Sequence, residues 1–287
     1  MKSFDYHEPK SLEEASSLLA ELGKPASIIA GGTDLLVEIK EELRAVSHVV
    51  NIKRIAGLDW KSWDPEKGLR FGTLVTAREI ETWPAVVKHY PNLRTAVSLL
   101  GSIQVRNRAT VVGNICRASP SADTIPPLIA DGAELTVYSD AGERVIPVEE
   151  LFTGPGKTVL VPGDIVTGIH VPAPRARSGR AYIKHGRRKA MELATVGVAV
   201  SLERDGDTCA DIRIALGAVA ATPVRARTAE ALLRGRSLDD DTLAAVAETA
   251  MQESTPISNV RASAAYRREM VGVLTRRAIG MAMGGIQ

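Results

Sequence analysis

The chain has 287 residues, 45% of them hydrophobic, and its 36 Lys plus Arg against 34 Asp plus Glu leave a net charge of +2 spread along its length. That length can bury one large core or two modest ones, so one to three subdomains are expected, disorder is not, and no basic footprint marks a nucleic-acid partner. Two cysteines, Cys116 and Cys209, are too few for a disulfide framework, an all-cysteine zinc site or an iron–sulfur cluster held by this chain alone.

The opening "MKSFDYHEPK" lacks the apolar segment of a signal peptide, and no apolar run approaches the roughly 20 residues of a membrane span, so a cytoplasmic chain without a span is expected. Ser11 and Glu14 read as a capping box. Leu12, Ala15, Leu18, Leu19 and Leu22 then recur at helical spacing until Gly23 can close the helix. "ASIIA" and "HVVNI" are β-rich runs on either side of a Gly-Gly stretch, and "LRFGTLV" is a third, followed by Thr76 and Glu79 as a second capping box. Strand, loop and helix repeat, so the first half is α/β. Around Pro172, Pro174, Arg175, Arg177 and Gly179 the sequence turns linker-like, and a domain boundary is expected there. Beyond it Val196, Val198, Val200 and Leu202 alternate, "RDGD" makes a turn, and Ile212, Ile214 and Leu216 alternate back, which predicts a β-hairpin with one buried face. Helical stretches follow at about 226–235, 238–252 and 262–282, each with an apolar stripe and a charged face read as solvated.

Two stretches carry chemistry. "IIAGGTDLLVEIK", residues 28–40, puts Gly31 and Gly32 at the mouth of a strand. "GSIQVRNRATVVGNICRASPSADTIPPL", residues 101–128, offers Gly113 and Asn114 at another sharp turn and then Asp123 in a Ser- and Pro-rich loop. Two Gly-containing turns that can point amide N–H groups at an anion match a diphosphate held in amide nests. Ordinary tight turns are the plainer reading of either stretch alone. The common nucleotide fingerprints fail. No G-x-G-x-x-G follows a strand, and "GPGKT" at 154–158 mimics the end of a P-loop but has Leu151 where the motif requires glycine. Cys116 could be a nucleophile only with a His partner; His89 and His185 are candidates from sequence distance alone, and a packed, unreactive thiol is the expectation.

"AGGTDLL", "QVRNRATVVGNICRASPSADTIPPL", "LFTGPGKTVLVPGDIVTGIHVP" and "AYIKHGRRKAMELATVGVAV" stand in an order and spacing that resembles the FAD-binding medium subunits of molybdenum hydroxylases, the xanthine dehydrogenase and aerobic carbon monoxide dehydrogenase family. The resemblance spans nearly the whole chain, including the C-terminal "RASAAYRREMVGVLTRRA". It implies an α+β fold. Residues 1–175 would form a vanillyl-alcohol-oxidase or PCMH-type FAD-binding domain of two α/β subdomains split near 55–60, and residues 178–287 an antiparallel sheet with helices like the C-terminal domain of the carbon monoxide dehydrogenase flavoprotein.

The resemblance also implies the site. Ile29, Ala30, Gly31, Gly32, Thr33, Asp34 and Leu35 would wrap the FAD pyrophosphate. Thr110, Val111, Val112, Gly113 and Asn114 would close from the other side, with Gly101 before them and Asp123 after them to accept from ribose or ribityl hydroxyls. Val166 and Lys184 match further positions lining the family's cofactor site. Many members have Gly-Gly-Asn where this chain has Val112, Gly113 and Asn114, and the four-iron cluster loop of the benzoyl-CoA reductase flavoproteins is missing here.

By the same resemblance no side chain is catalytic. Electrons leave a molybdopterin large subunit, cross two [2Fe–2S] clusters on a small subunit, and reach FAD on this chain, which passes them to an external acceptor. The expected assembly is a dimer of heterotrimers, a heterohexamer. The rival readings are a nucleotide-binding structural subunit without redox turnover and a self-standing flavin oxidase. Neither the complex's substrate nor the final acceptor is legible in this chain.

Overall fold

The structure, a computed structural model, describes residues 2–286. Ser11 accepts from the Glu14 amide and starts α1 (Leu12–Leu22), which Gly23 ends at φ +65°. Glu14 does not close the expected box, because its carboxylate accepts from the Lys10 amide one residue upstream of the cap. β1 (Asp5–His7), β2 (Ala26–Ile29) and β3 (His48–Asn51) form a parallel sheet in the order β1-β3-β2. Parallel strands bury both faces. Val50 packs with Ala15 and Leu19 of α1 on one side, while Val49 packs on the other with Leu35 and Ile39 of α2 (Leu35–Lys40).

The second layer contains β4 (Lys61–Asp64), β5 (Gly68–Gly72), β6 (Glu134–Ser139), β7 (Gly142–Pro147) and β10 (Ile165–Val171), an antiparallel sheet ordered β4-β5-β10-β6-β7. Between its strands run α3 (Ala77–Thr82), α4 (Pro84–His89), α5 (Pro91–Ser98), α6 (Ile103–Arg106), α7 (Val111–Cys116) and α8 (Ile125–Ala130). The Thr76–Glu79 capping box at the start of α3 is complete. Pro84 and Pro91 sit in the first turns of α4 and α5, where the missing N–H costs no helical bond. "GPGKT" is the turn of a small ribbon, β8 (Phe152–Gly154) and β9 (Lys157–Thr158), and no helix follows it as a P-loop would require.

After the connection at 172–177, β11 (Ser178–His185), β12 (Val196–Asp205), β13 (Thr208–Gly217) and β14 (Val224–Arg225) form an antiparallel sheet in chain order, followed by α9 (Arg227–Leu233), α10 (Asp240–Gln252) and α11 (Ala264–Gly284). The hairpin stands where the alternation predicts it, with Asp205 opposite Thr208 across Gly206–Asp207. Its one-sided burial is a correction. Val196, Val198, Val200, Ile212, Ile214 and Leu216 face the helices, but Tyr182, Ala199 and Ala215 are buried on the other face against the core of the first half. Small residues escape an alternation search keyed to large ones. At Gly217 a Cβ would stand 2.9 Å from Pro126 Cγ, so glycine lets α8 lie close to β13.

Candidate cofactor cleft

A cleft of about 780 Å³ is lined by the exit of β2, the loop around Leu100 and Gly101, the start of α7, the loop leading to Asp123, the turn before β10, and residues 191–193. Of the residues the sequence nominates, the structure brings Ala30, Gly31, Gly32, Thr33, Asp34, Leu35, Gly101, Thr110, Val112, Gly113, Asn114, Asp123 and Val166 to its walls. Three lie elsewhere. Ile29 is the last residue of β2 and packs with Leu35 and Val49. Val111, fully buried, points into the core of the second layer. Lys184 stands behind Asp123 rather than in the wall.

The two nominated loops differ in kind. Residues 30–34 are a loop, and among the described residues the amide N–H groups of Gly31, Gly32, Thr33, Asp34 and Leu35 meet no protein acceptor. Gly32 has φ +71°, the left-handed region that favours glycine. A Cβ on Gly31 would fall 2.1 Å from the Arg108 carbonyl oxygen. The protein's own backbone therefore demands glycine at 31, since any side chain would push the 105–110 segment off the loop. Lys53 braces the loop from outside, its Nζ donating to the Ala30 carbonyl at 3.1 Å; partial burial and the neighbouring Arg108 lower its pKa. The second stretch is a helix start instead of a turn. Thr110 caps α7 by accepting from the Gly113 amide at 3.0 Å. Val112 lies inside that helix without positive φ, so a β-branched residue fits the backbone there.

Asp123, only 6% exposed, accepts from Lys184 Nζ at 2.7 Å and from the Tyr182 hydroxyl at 2.9 Å. Lys184 also donates to the Leu99 carbonyl at 3.1 Å. Burial pushes the Asp123 carboxyl above its ordinary range and the two donors pull it back; burial and that carboxyl push the Tyr182 hydroxyl well up. Each carboxylate oxygen has taken one bond and can accept a second. Lys184 is thus a buried partner of Asp123, not the direct wall residue that the resemblance implies.

Some wall residues escaped the sequence reading. Ser27 is 5% exposed, lines the cleft, and its hydroxyl has no partner. A buried serine inside the apolar run "ASIIA" is the signal that could have marked it. Thr73, Asp164, Glu38 and Arg117 also contribute; Glu38 and Arg117 lie within the two nominated stretches, but the side chain each one meets, the other's, is distant in sequence.

The walls offer donors and acceptors but no reactive dyad. Burial pushes the Cys116 thiol up to about 12. His89 stacks on Trp63 with centroids 4.5 Å apart, and His185 Nε2 lies 3.0 Å from the Tyr266 hydroxyl, so neither candidate base is paired with Cys116. Among the described residues no cluster of three or more His, Cys, Asp and Glu could hold a metal, and no helix is long and apolar enough to cross a membrane. Free amides at a glycine loop, an orphaned buried hydroxyl and a cleft within the range of ligand sites fit a dinucleotide diphosphate.

Comparison with known proteins agrees. Residues 2–174 match the family described as the FAD binding domain in molybdopterin dehydrogenase, and residues 181–282 match the CO dehydrogenase flavoprotein C-terminal domain. The chain is 33% identical to the xanthine dehydrogenase FAD-binding subunit of Escherichia coli O157:H7, covering 97% of this chain and 95% of that one. It is 32% identical to the carbon monoxide dehydrogenase medium chain of Hydrogenophaga pseudoflava over 97% and 96%. Among solved structures, a carbon monoxide dehydrogenase from Hydrogenophaga pseudoflava superposes with a TM-score of 0.95 at 34% identity, covering 99% of this chain and 98% of that chain. Quinoline 2-oxidoreductase from Pseudomonas putida superposes with a TM-score of 0.90 at 31% identity over 99% of each. With both family models spanning nearly its whole length and relatives of this similarity covered end to end, the chain belongs to the FAD-binding medium subunits of the molybdenum hydroxylases.

Proposed function

We propose that the cleft holds FAD and that the chain is the electron-relay subunit of a molybdenum hydroxylase complex. The observation that carries this reading is the row of unpartnered amides from Gly31 to Leu35, facing the start of α7 across one cleft. When bound, FAD supplies redox chemistry that side chains lack, taking electrons singly from iron–sulfur clusters and releasing them as a pair. The amides of residues 31–35 hold the diphosphate, and Val112, Gly113 and Asn114 close on it from the other side. Asp123 accepts from a cofactor hydroxyl with its remaining lone pairs, positioned by Lys184 and Tyr182. Val166 precedes the β10 bulge and supplies apolar wall.

The proposed domain limits are 1–175 for the FAD-binding part, divided near 55–60, and 178–287 for the rest. With only Cys116 and Cys209, the chain cannot bind the clusters itself, so an iron–sulfur small subunit and a molybdopterin large subunit supply electrons in a dimer of three-chain units in the cytoplasm. Relatives are named for substrates as different as carbon monoxide, nicotinate and glyceraldehyde, so substrate choice falls to the large subunit. The test is isolation from the native host with metal analysis. Molybdenum, about four irons and one flavin per copy of this chain are the expected result, and a flavoprotein carrying neither metal would overturn the partner assignment.

A further inference from the structure

The two segments that carry the cofactor loops are joined a turn further on. Glu38 sits one helical turn after Asp34, in α2, which leaves the 30–34 loop directly. Arg117 sits one turn after Gly113, at the C-cap of α7. Arg117 Nη2 lies 2.6 Å from Glu38 Oε1, and both residues line the cleft. Glu38 is the more buried, its side chain 13% exposed against 38% for Arg117. A second cation, Arg44, approaches its other oxygen at 3.9 Å. From behind, the β8–β9 turn backs the guanidinium. Gly156 has φ +67° and donates its amide to the Ala118 carbonyl at 2.9 Å, and a Cβ there would stand 3.3 Å from Arg117 Nη1. α2 belongs to the layer of the parallel sheet and α7 to the layer of the five-stranded sheet, so the ion pair is a cross-link between the two walls.

We propose that the Glu38–Arg117 ion pair is a clasp that ties the two loop-bearing helices together across the cleft and slows the escape of bound FAD. The inference rests on the FAD reading above. Opening the cleft separates α2 from α7 and must break the pair, so the pair belongs to the closed state and is lost on the way to release. Its loss therefore speeds dissociation more than it slows association. Because Arg117 is partly exposed, salt weakens the clasp.

The test uses the full-length flavin-loaded chain and follows free-flavin fluorescence after dilution. Glu38→Gln and Arg117→Gln should each release FAD about threefold to tenfold faster than the native chain. The exchange Glu38→Arg with Arg117→Glu should restore a rate near native. The native rate should rise between about 0.05 and 0.5 M salt, and the rates of the single variants should respond less. Melting of the flavin-free proteins separates a clasp from a general fold contact, since the clasp predicts rates that change while those midpoints stay close. Single variants that release FAD at the native rate would overturn the clasp. If a single variant does not fold, a folded exchange variant that releases FAD fast overturns it equally. A native chain that takes up no FAD would instead defeat the cofactor reading itself, a distinguishable outcome.

Discussion

Lys184 Nζ lies 2.7 Å from Asp123 Oδ2, with only 7% and 8% of the two side chains exposed, and this contact pins the cleft loop of the first half to β11 of the C-terminal sheet. Removing one member of a buried pair strands the other charge. Lys184→Met should therefore cost about 3–5 kcal/mol of stability, read by chemical denaturation. Adding Asp123→Asn should recover most of that loss because no buried charge is left. A double variant no more stable than Lys184→Met would show that packing of the lysine stem, not its charge, holds the contact.

The two glycines of the opening loop should respond unequally. Gly31→Ala sets a Cβ against the Arg108 carbonyl, a backbone atom that cannot turn away, and should weaken FAD binding about tenfold or more. Gly32→Ala meets side-chain atoms alone, Ile29 Cδ1 at 3.0 Å and Leu36 Cδ1 at 3.3 Å, and carries the strain of a positive φ, about 1–2 kcal/mol. Flavin titration of both variants gives the order. A tighter-binding Gly31 variant would mean that the 105–110 segment does not set the loop.

Local signals in the sequence were enough for the elements with local causes. Ser11 and Gly23 bracket α1, Thr76 with Glu79 starts α3, and the alternation from Val196 to Leu216 draws the hairpin. What stayed hidden depends on partners far along the chain. Gly31 answers to Arg108, Asp123 to Lys184, and Glu38 to Arg117, and no window of sequence contains either member of such a pair with the other. Helix phase explains the valines. Val111 and Val112 look alike in "TVVGN", and both pack into the core of the second layer, but in α7 only Val112 of the two also reaches the cleft wall. Pro126 and Pro127 read as loop, yet both occur in the first turn of α8, where a missing N–H is tolerated.

Asp164 makes the fold sensitive to acid. Burial alone would raise its carboxyl, but the Arg144 guanidinium at 2.8 and 2.6 Å and the Val161 amide at 2.8 Å hold it below its ordinary value of 3.8. A group depressed in the folded state contributes stability that is complete above its unfolded value and disappears as pH falls through the folded one. The native chain should thus exceed Asp164→Asn by about 1–2 kcal/mol above pH ~4, with the gap closing in more acid solution. Urea titrations at about pH 3 and pH 6 check this, and a gap unchanged between them would assign the loss to something other than the ionised carboxyl.

Both thiols should be inert in the folded chain. Burial raises Cys116 and Cys209 to about 12, which leaves roughly one thiolate in ten thousand near pH 8. A disulfide reagent should therefore titrate neither until the protein is unfolded, and then both. Fast reaction of one thiol in the native state would reopen the nucleophile reading of Cys116.

Occupancy of the cleft between the glycine loop and α7 by FAD can be counted. Its most direct measurement is the flavin released on denaturing the purified chain, identified by chromatography and counted per chain, in the native protein and in Gly31→Ala. The expected result is one FAD per native chain, with yellow absorbance that dithionite bleaches, and a large loss in the variant. A correctly folded native chain that carries no flavin and takes none up, or a Gly31→Ala chain that retains a full complement, would contradict it.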